Sequence, residues 1–575
     1  MTHKWNYHPL TTEQKKNKNE LTQNLQIDPI LAELLIKRGI NTVQEAEMFL
    51  HPSLEHLHDP FLMPDMEVAI KRIEKALGNK ERIMVYGDYD VDGTTAVTLV
   101  YKFLRKITNN IDYYIPHREE EGYGISTKGI DYAAETDVKL VIALDCGIKA
   151  NAKIDYANDK GVDFIICDHH MPGDELPNAV AIVNAKREDS IYPYKELSGC
   201  GVGFKLIQAF AIRNGFDFSE IEPLLDLVAV SIAADIVPIT GENRTLMHYG
   251  LKQLNANPSF GLRGIIEVCN LHRRHISVND IAFKIGPRIN ASGRMMNGIE
   301  AVDLMLAGDM QLAREKALNI DKYNEDRREL DKRITDEAIQ HVKEEYNLSE
   351  QKSIVIYNEN WPKGIIAIVA SRLTEKYLRP AVILTKASDE SGDFISGSAR
   401  SINNFDVYKA IESSQDLLEN FGGHTYAAGL TLRKEHLGEF KKRFESISFE
   451  KIENKSMQPQ MTVDAIIQLD KITPDFVKQL ELFKPFGPDN ENPLFVTNVV
   501  YDAGGSKLVG RKMQHIKMEL QDETIEQPIQ AIAFGQSSYF KNFKHKKPIN
   551  ICYTIEENRH GANSYTQLMI KDIQE

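Results

Sequence analysis

Cysteine is scarce in this chain of 575 residues: Cys146, Cys167, Cys200, Cys269 and Cys552 are scattered, odd in number and never in C-x-x-C spacing. A disulfide framework and a thiolate zinc site are therefore not expected, and a reducing cytoplasm is the natural home. Long apolar runs are missing as well. None approaches the roughly 20 residues that span a bilayer, and Met1 to Leu10 has no apolar stretch that could act as a signal peptide. We expect a cytoplasmic protein with no membrane partner. There is no short-period repeat, no extended low-complexity tract, and no G-x-S-x-G or other persuasive nucleophile–base set. An excess of positive charge is absent too: 69 Lys and Arg stand against 83 Asp and Glu, a net charge of −14. A basic domain is the usual footprint of a nucleic-acid binder. Metal-binding carboxylates add negative charge of their own, however, so the sum neither establishes nor excludes such a partner.

What is present is too long for one core and calls for two to four domains. Residues 1–80 read as a helical segment, with helical apolar spacing from Ile27 to Ile36. Arg82-Ile-Met-Val-Tyr86, Val138-Lys-Leu-Val-Ile-Ala-Leu144 and Val162-Asp-Phe-Ile-Ile-Cys167 are short, largely apolar strands with helices between them, beginning near Thr94 and near Asn151. Strand–helix alternation implies a parallel sheet buried on both faces, here over 81–308. The charged stretch 309–350 reads as a solvated connecting helix. A second, smaller α/β domain follows over 351–450, beginning at Ser353-Ile-Val-Ile-Tyr357. Lys451 to Gln460 reads as a polar linker, and the alternating stretches of 461–575, such as His515 to Leu520 and Ile529 to Phe534, as a small β domain.

Chemistry gathers at strand ends. Tyr86-Gly-Asp-Tyr-Asp-Val-Asp-Gly93 puts Asp88, Asp90 and Asp92 at alternate positions after an apolar strand, and in extended backbone such positions point one way. Three neighbouring carboxylates repel unless a cation joins them. Gly93 permits a turn, and Thr94 can open the next helix. The plain alternative is a polar helix-capping loop. The second strand ends in Asp145-Cys-Gly147 and the third in Asp168-His-His170. A lone Asp there is most often a cap and a lone His a structural residue. Three such motifs at the ligand-binding ends of parallel strands reverse those odds. The apolar stretch 224–234 leads to Asp235, just before Pro238. Carboxylates with one or two imidazoles suit Mn²⁺ or Mg²⁺ better than a thiolate-seeking metal.

Arginines supply a second kind of group. Arg118 lies in Ile115-Pro-His-Arg118, Arg288 and Arg294 flank a small-residue loop, and Ser398 and Arg400 follow a strand-like segment. Gly422-Gly-His424 reads as a flexible turn whose backbone N–H groups can approach phosphate. Arginine grips phosphate bidentately, although a surface arginine is more often merely solvated.

The four acidic motifs, in this order, resemble the DHH phosphoesterase superfamily, which carries the tripeptide seen at 168–170 and includes RecJ-type nucleases, pyrophosphatases and phosphodiesterases of short oligonucleotides or cyclic dinucleotides. Ile281 to Arg294, Gly364 to Arg372, Ser396 to Arg400, Gly422 to Gly429 and Phe483 to Pro488 extend the likeness to the RecJ-type branch, with its DHHA1 domain and OB-type barrel. The resemblance implies two divalent cations, Mn²⁺ or Mg²⁺, with Asp90 and Asp92 each holding one, Asp145 bridging, and His169 and Asp235 completing the second site. Asp88 would be a further ligand or lie behind one. Asp168 belongs to the same catalytic motif, and His170 would meet the scissile phosphate or a neighbouring ligand. Pyrophosphatase members have a histidine where this chain has Tyr86. Arg118, Arg288, Arg294, Ser398, Arg400, Gly422, Gly423 and His424 would bind substrate.

The implied activity is 5′-to-3′ hydrolysis of single-stranded DNA by two-metal-activated water, serving DNA repair and recombination, with a helicase and a single-strand-binding protein as partners. The alternatives are a phosphodiesterase for short oligonucleotides or cyclic dinucleotides, and a non-catalytic DNA-binding scaffold on a DHH core. Within the β domain, Phe534, Tyr539, Phe540 and the basic run Lys544 to Lys547 are candidates for strand binding by stacking and charge, though aromatics of a small barrel are mostly core.

Overall fold

In the computed structural model, residues 3–387, 392–453, 459–544, 547–560 and 563–575 are described. They form two compact units, one comprising His58–Val237 and Tyr249–Gln458, the other Met1–Leu57, Pro238–His248 and Pro459–Glu575.

The first unit carries the acidic motifs. Strands β1 (Arg82–Gly87), β2 (Ile111–Tyr114), β3 (Val138–Leu144), β4 (Asp163–Cys167) and β5 (Ala181–Val183) form an all-parallel sheet in the order β2-β1-β3-β4-β5. Both faces are covered, so β1 and β3 are buried along almost their whole length instead of alternating. Each fully buried Val, Ile or Leu contributes about 1.5–3 kcal/mol to the core. Helix α1 (Val91–Leu104) follows β1. Asp90 caps it by accepting the Gly93 N–H at 3.1 Å. The sequence points to Thr94 as the opening residue; Asp90 wins because its carboxylate reaches the third helical amide. Asp92 consequently lies in the first helical turn and not in extended backbone aligned with Asp88 and Asp90. Gly93 is required sterically, since a Cβ there would sit 2.4 Å from the Asp88 carbonyl oxygen. Helices α2 (Gly199–Asn214) and α3 (Leu225–Ala234) pack against α1, and α3 ends at its C-cap, Asp235. Further on, α4 (Gly286–Met295) leads towards the connecting helix.

That connecting helix, α5 (Met310–Glu345), is one uninterrupted stretch of 36 residues. Ala313, Ala317, Ile320, Ile334, Ala338 and Val342 form its buried stripe, and most of its charges face outward, Asp331 being a buried exception. The second sheet holds β6 (Ile354–Tyr357), β7 (Ala381–Lys386), β8 (Phe394–Arg400), β9 (Leu418–His424) and β10 (Ala427–Arg433), in the order β9-β10-β8-β7-β6. Only β6 and β7 run parallel. Helix α6 (Lys363–Tyr377) packs on β7 and β8 and against α5, where buried Asp331 accepts from Arg372 at 2.6 Å.

In the other unit, strand 495–502 pairs with 549–560 and, at its end, with 515–521. The 549–560 strand pairs with 563–574, and 529–533 lies between 563–574 and 515–521. The sequence groups residues 1–80 together, but the structure parts them after Leu57. Leu31, Leu34, Leu35 and Phe49 from the N-terminal helices share one core with Phe476, Phe483, Phe495, Ile551 and Leu568. Arg244, from the 238–248 insertion, is buried in this unit. Its guanidinium lies 3.8 Å from the Phe49 ring centroid and donates to the carbonyls of Phe49, Leu482, Phe483, Lys484 and Pro485. Of the aromatics named above, Phe534 is exposed and edges onto His515, while Tyr539 and Phe540 pack against the core. His545 and Lys546, and residues 454–458 of the linker, lie outside the described residues.

Candidate metal centre

The first turn of α1, the ends of β3 and β4 and the C-terminus of α3 bring Asp92, Asp145, His169 and Asp235 to one place, with His169 Nε2 at its middle. That nitrogen is 3.2 Å from Asp145 Oδ1, 3.7 Å from Asp92 Oδ2 and 3.7 Å from Asp235 Oδ2. On the other side of the ring, His169 Nδ1 is 3.1 Å from the Leu197 carbonyl oxygen. A carbonyl only accepts, so Nδ1 carries the hydrogen and Nε2 turns its lone pair toward three carboxylates. Burial pushes the His169 imidazole below its ordinary range, toward the neutral form. A lone pair facing carboxylate oxygens needs a cation among them.

The carboxylates require the same thing. Asp88 and Asp145 are buried, and each has an Oδ1 that accepts no hydrogen bond. Burial first, and neighbouring aspartates second, hold Asp88, Asp90, Asp145 and Asp235 above the usual carboxylate range. Among the described residues, ligand atoms within 4.8 Å of one another come from Asp92, His169 and Asp235, and from Asp145, His169 and His170. Hard oxygens with one or two imidazoles fit Mn²⁺ or Mg²⁺. Asp90, half-buried, caps α1 with one oxygen and stands beside these two sets.

Neighbouring elements fix the ligands. Both oxygens of Asp92 are held at the N-terminus of α2, by Gly199 N–H at 2.6 Å and Cys200 N–H at 2.7 Å, and Ser231 Oγ donates at 2.7 Å. Ser198 caps α2 and its hydroxyl lies 2.6 Å from that of Ser231. Asp145 sits at φ 58° and Ile236, next to Asp235, at φ 60°, left-handed conformations that side-chain-bearing residues seldom adopt. Asp168 serves differently. It accepts the amides of Ile148, His169 and His170 and lies 2.7 Å from His170 Nδ1. Burial alone would raise its carboxyl, but these bonds bring it down to about 2, and the same contact outweighs burial to raise His170.

The arginines divide. Arg118 lies over the Tyr89 ring at 5.0 Å and, with Arg294, lines a cavity of about 260 Å³. Arg294, Arg372, Arg400 and Ser371 line a second cavity of about 500 Å³. Burial, then the charge of Arg118, brings Arg294 down to about 10, so it stays protonated at neutral pH. Arg400 donates to Ser398 Oγ at 3.2 Å. Arg288 is engaged elsewhere, by Asp321 at 2.6 Å and the Lys284 carbonyl at 2.9 Å, and lines neither cavity. Gly422, Gly423 and His424 are corrected: they form no turn but the end of β9, paired with Gly429, Ala428 and Ala427. Pairing with β10 engages one side of this edge strand and holds its backbone extended. Sequence reasoning missed Ser198, Gly199 and Ser231, although the glycine-rich Ser198-Gly-Cys-Gly-Val-Gly203 signals a close helix start.

Comparison with known proteins shows the family and the fold. The DHH family N-terminal domain matches residues 82–232, the DHHA1 domain 350–448 and the RecJ OB domain 463–572. The single-stranded-DNA-specific exonuclease RecJ of Bacillus subtilis (strain 168) is 35% identical over 96% of this chain and 69% of its own length. That of Dickeya dadantii (strain 3937) is 30% identical over 95% and 96%. The chain belongs to the RecJ family. Its fold matches the crystal structure of RecJ in complex with Mn²⁺ from Thermus thermophilus with a TM-score of 0.83 at 24% identity, over 100% of this chain and 79% of that one. A crystal structure of exonuclease RecJ bound to manganese matches at 30% identity and a TM-score of 0.59, over 69% of this chain and 96% of that one. The RecJ family thus accounts for all three matched segments of the chain, the last of them the OB domain of the second unit.

Proposed function

We infer that this RecJ-family chain is a metal-dependent exonuclease that hydrolyses phosphodiester bonds of single-stranded DNA, with Mn²⁺ or Mg²⁺ as cofactor. The observation that carries the reading is the His169 Nε2 lone pair ringed by Asp92, Asp145 and Asp235, in a chain whose relatives are named single-stranded-DNA-specific exonucleases. Asp90, Asp92, Asp145, His169 and Asp235 would hold the divalent ions in this reading. When bound, such ions neutralise charge on the attacked phosphate and acidify a water enough for attack near neutral pH. The chain's own groups do the rest. Asp168 anchors His170 through Nδ1 at the edge of the site, and Arg118, Arg294, Ser398 and Arg400 grip backbone phosphates. The proposed polarity is 5′-to-3′, with these arginines taking the terminal 5′-phosphate.

The proposed parts are a DHH domain at 81–308, the connector at 309–350, a DHHA1 domain at 351–450 and an OB domain at 461–575. Action in the cytoplasm, in DNA repair and recombination, beside a helicase and a single-strand-binding protein, completes the proposal. Among the described residues no helix is long and apolar enough to cross a membrane.

The test uses linear single strands, 5′-phosphorylated or 5′-hydroxyl and labelled at the 3′ end, beside a circular single strand, with Mn²⁺ or Mg²⁺. Mononucleotide release from the 5′ end of linear strands, and none from the circle, is expected. Asp145→Ala loses a direct ligand, so activity falls by more than the about 10- to 100-fold that outer partners of a metal ligand cost. Cleavage of the circle, release from the 3′ end, or an active Asp145→Ala would overturn the exonuclease, polarity and metal assignments respectively.

A further inference from the structure

Tyr86 lies near the end of β1, just before the first acidic motif, and its contacts show what it does there. The ring is buried at the end of β1 and stacks on Tyr114, centroids 5.5 Å apart and planes 12° apart. Its hydroxyl donates to the Gly124 carbonyl at 2.8 Å and accepts the Ser126 N–H at 3.1 Å. The loop between β2 and the helix at Thr127 is thereby pinned from beneath. Glu121 pins it a second time, accepting from the Tyr114 hydroxyl at 2.9 Å, the Ser126 hydroxyl at 2.5 Å and the His117 amide at 2.8 Å.

Between these pins the chain makes a bracket, Gly122-Tyr123-Gly124, with φ of 83° and 81° at the two glycines. Only glycine adopts those angles without strain, and the result is to turn Tyr123 over the metal centre. Its ring is 58% exposed, unusual for an aromatic whose polar end is so well engaged. The hydroxyl lies 3.3 Å from the Asp145 carbonyl oxygen, to which it donates, and 3.3 Å from His170 Nε2. The rings meet edge to face, with centroids 6.0 Å apart at 77°.

His170 is thus held at both nitrogens, Nδ1 by Asp168 at 2.7 Å and Nε2 by Tyr123. Asp168 alone fixes one ring atom and leaves the imidazole free to swing about that bond. A second contact at the opposite nitrogen removes this freedom and fixes the plane of the ring. We propose that Tyr123 is a positioning residue that, together with Asp168, fixes the plane and place of the His170 imidazole at the edge of the metal centre, and that Tyr86 is the post supporting the loop that carries it. The proposal rests on the nuclease reading above for the reaction, but the contact itself can be tested without activity.

The test takes the full chain as wild type, Tyr123→Phe, His170→Ala and the double variant. Tyr123→Phe keeps the exposed ring and removes only the hydroxyl, so folding is preserved. In metal-free protein with ¹⁵N-histidine, the imidazole signals that vanish in His170→Ala belong to His170, and Tyr123→Phe shifts them. On a 5′-phosphorylated oligo(dT) strand with Mn²⁺, Tyr123→Phe lowers kcat by on the order of 100-fold, the scale of a small misplacement, with KM within about twofold. Added to His170→Ala it changes nothing further, because two groups acting as a unit are not additive. Unmoved His170 signals, or a Tyr123 effect that persists in full without His170, would overturn the proposal. Shifted signals in a protein that cleaves no single strand would instead sink the nuclease reading and leave the contact standing.

Discussion

At the scale of single residues, the centre is built from conformations that ordinary side chains avoid. Asp145 and Ile236 both sit near φ 60°. For Asp145 the cost is moderate, since aspartate tolerates the left-handed region better than most residues. Ile236 is β-branched and 66% exposed, so it gains little from packing to offset the strain. Residues in such regions cost about 1–3 kcal/mol each. The backbone reversal immediately after Asp235 is what turns α3's final carboxylate toward His169. Replacing Ile236 by asparagine, which accepts this conformation, keeps the reversal and relieves the strain. We expect Ile236→Asn to raise the thermal midpoint by about 2 °C, the shift that roughly 1 kcal/mol produces in a large domain. Calorimetry of the metal-free protein measures this, and a lower midpoint would show that Ile236 is held in place by contacts and is not strained.

At the scale of elements, helix N-termini and strand ends do the assembling. The N-terminus of α2 presents two amides to Asp92 and packs its first residue against Asp145. A Cβ on Gly199 would lie 2.6 Å from Asp145 Cβ and 2.8 Å from Asp145 Oδ1. Alanine is a better helix former than glycine, so Gly199→Ala leaves α2 intact while displacing the ligand. The expected result is an unchanged far-UV circular dichroism spectrum, Mn²⁺ binding weakened by about 10- to 100-fold in a titration, and nuclease activity lost in parallel. Unaltered Mn²⁺ affinity would mean Asp145 has room to move. Much of this architecture was legible beforehand. Buried strands ending in aspartate declare themselves through apolar runs and abrupt polarity, which is why β1, β3, β4 and the cluster around His169 could be read. The helix start at Asp90 was less visible, because Asp and Thr compete as caps and only the fold decides. Gly422 to His424 looked like a turn since glycine pairs usually are, yet the chain reverses just beyond them, between His424 and Ala427. A shift of two or three residues along a hairpin leaves no mark in composition. Arg288 could not be told from the other arginines until Asp321 was seen beside it.

At the scale of the whole molecule, the chain weaves one unit from three separate stretches, 1–57, 238–248 and 459–575. This changes how the β domain's role can be tested. Removing everything from 459 onward looks like a clean amputation in the sequence, but it would strip Leu31, Leu34, Leu35 and Phe49 of the core they share with Phe476, Phe483 and Leu568. It would also leave Arg244 with one of its five carbonyl partners, that of Phe49. A buried guanidinium deprived of its acceptors costs several kcal/mol, and burial already depresses Arg244 to about 9. The 1–458 fragment should therefore bind the hydrophobic dye ANS and aggregate, whatever part the β domain plays on DNA. The exposed ring of Phe534, edge-on to His515, offers the gentler probe. Phe534→Ala touches no core residue, and if the domain binds strands by stacking it should weaken binding by about 1–3 kcal/mol per lost base contact, read by fluorescence anisotropy with long and very short oligo(dT) in the absence of metal. The loss should appear on the long strand and not on the short one. Equal binding of the long strand by wild type and Phe534→Ala would show that this ring makes no contact with DNA, and a soluble, ANS-silent 1–458 fragment would show that the three stretches do not depend on one another as their shared core requires.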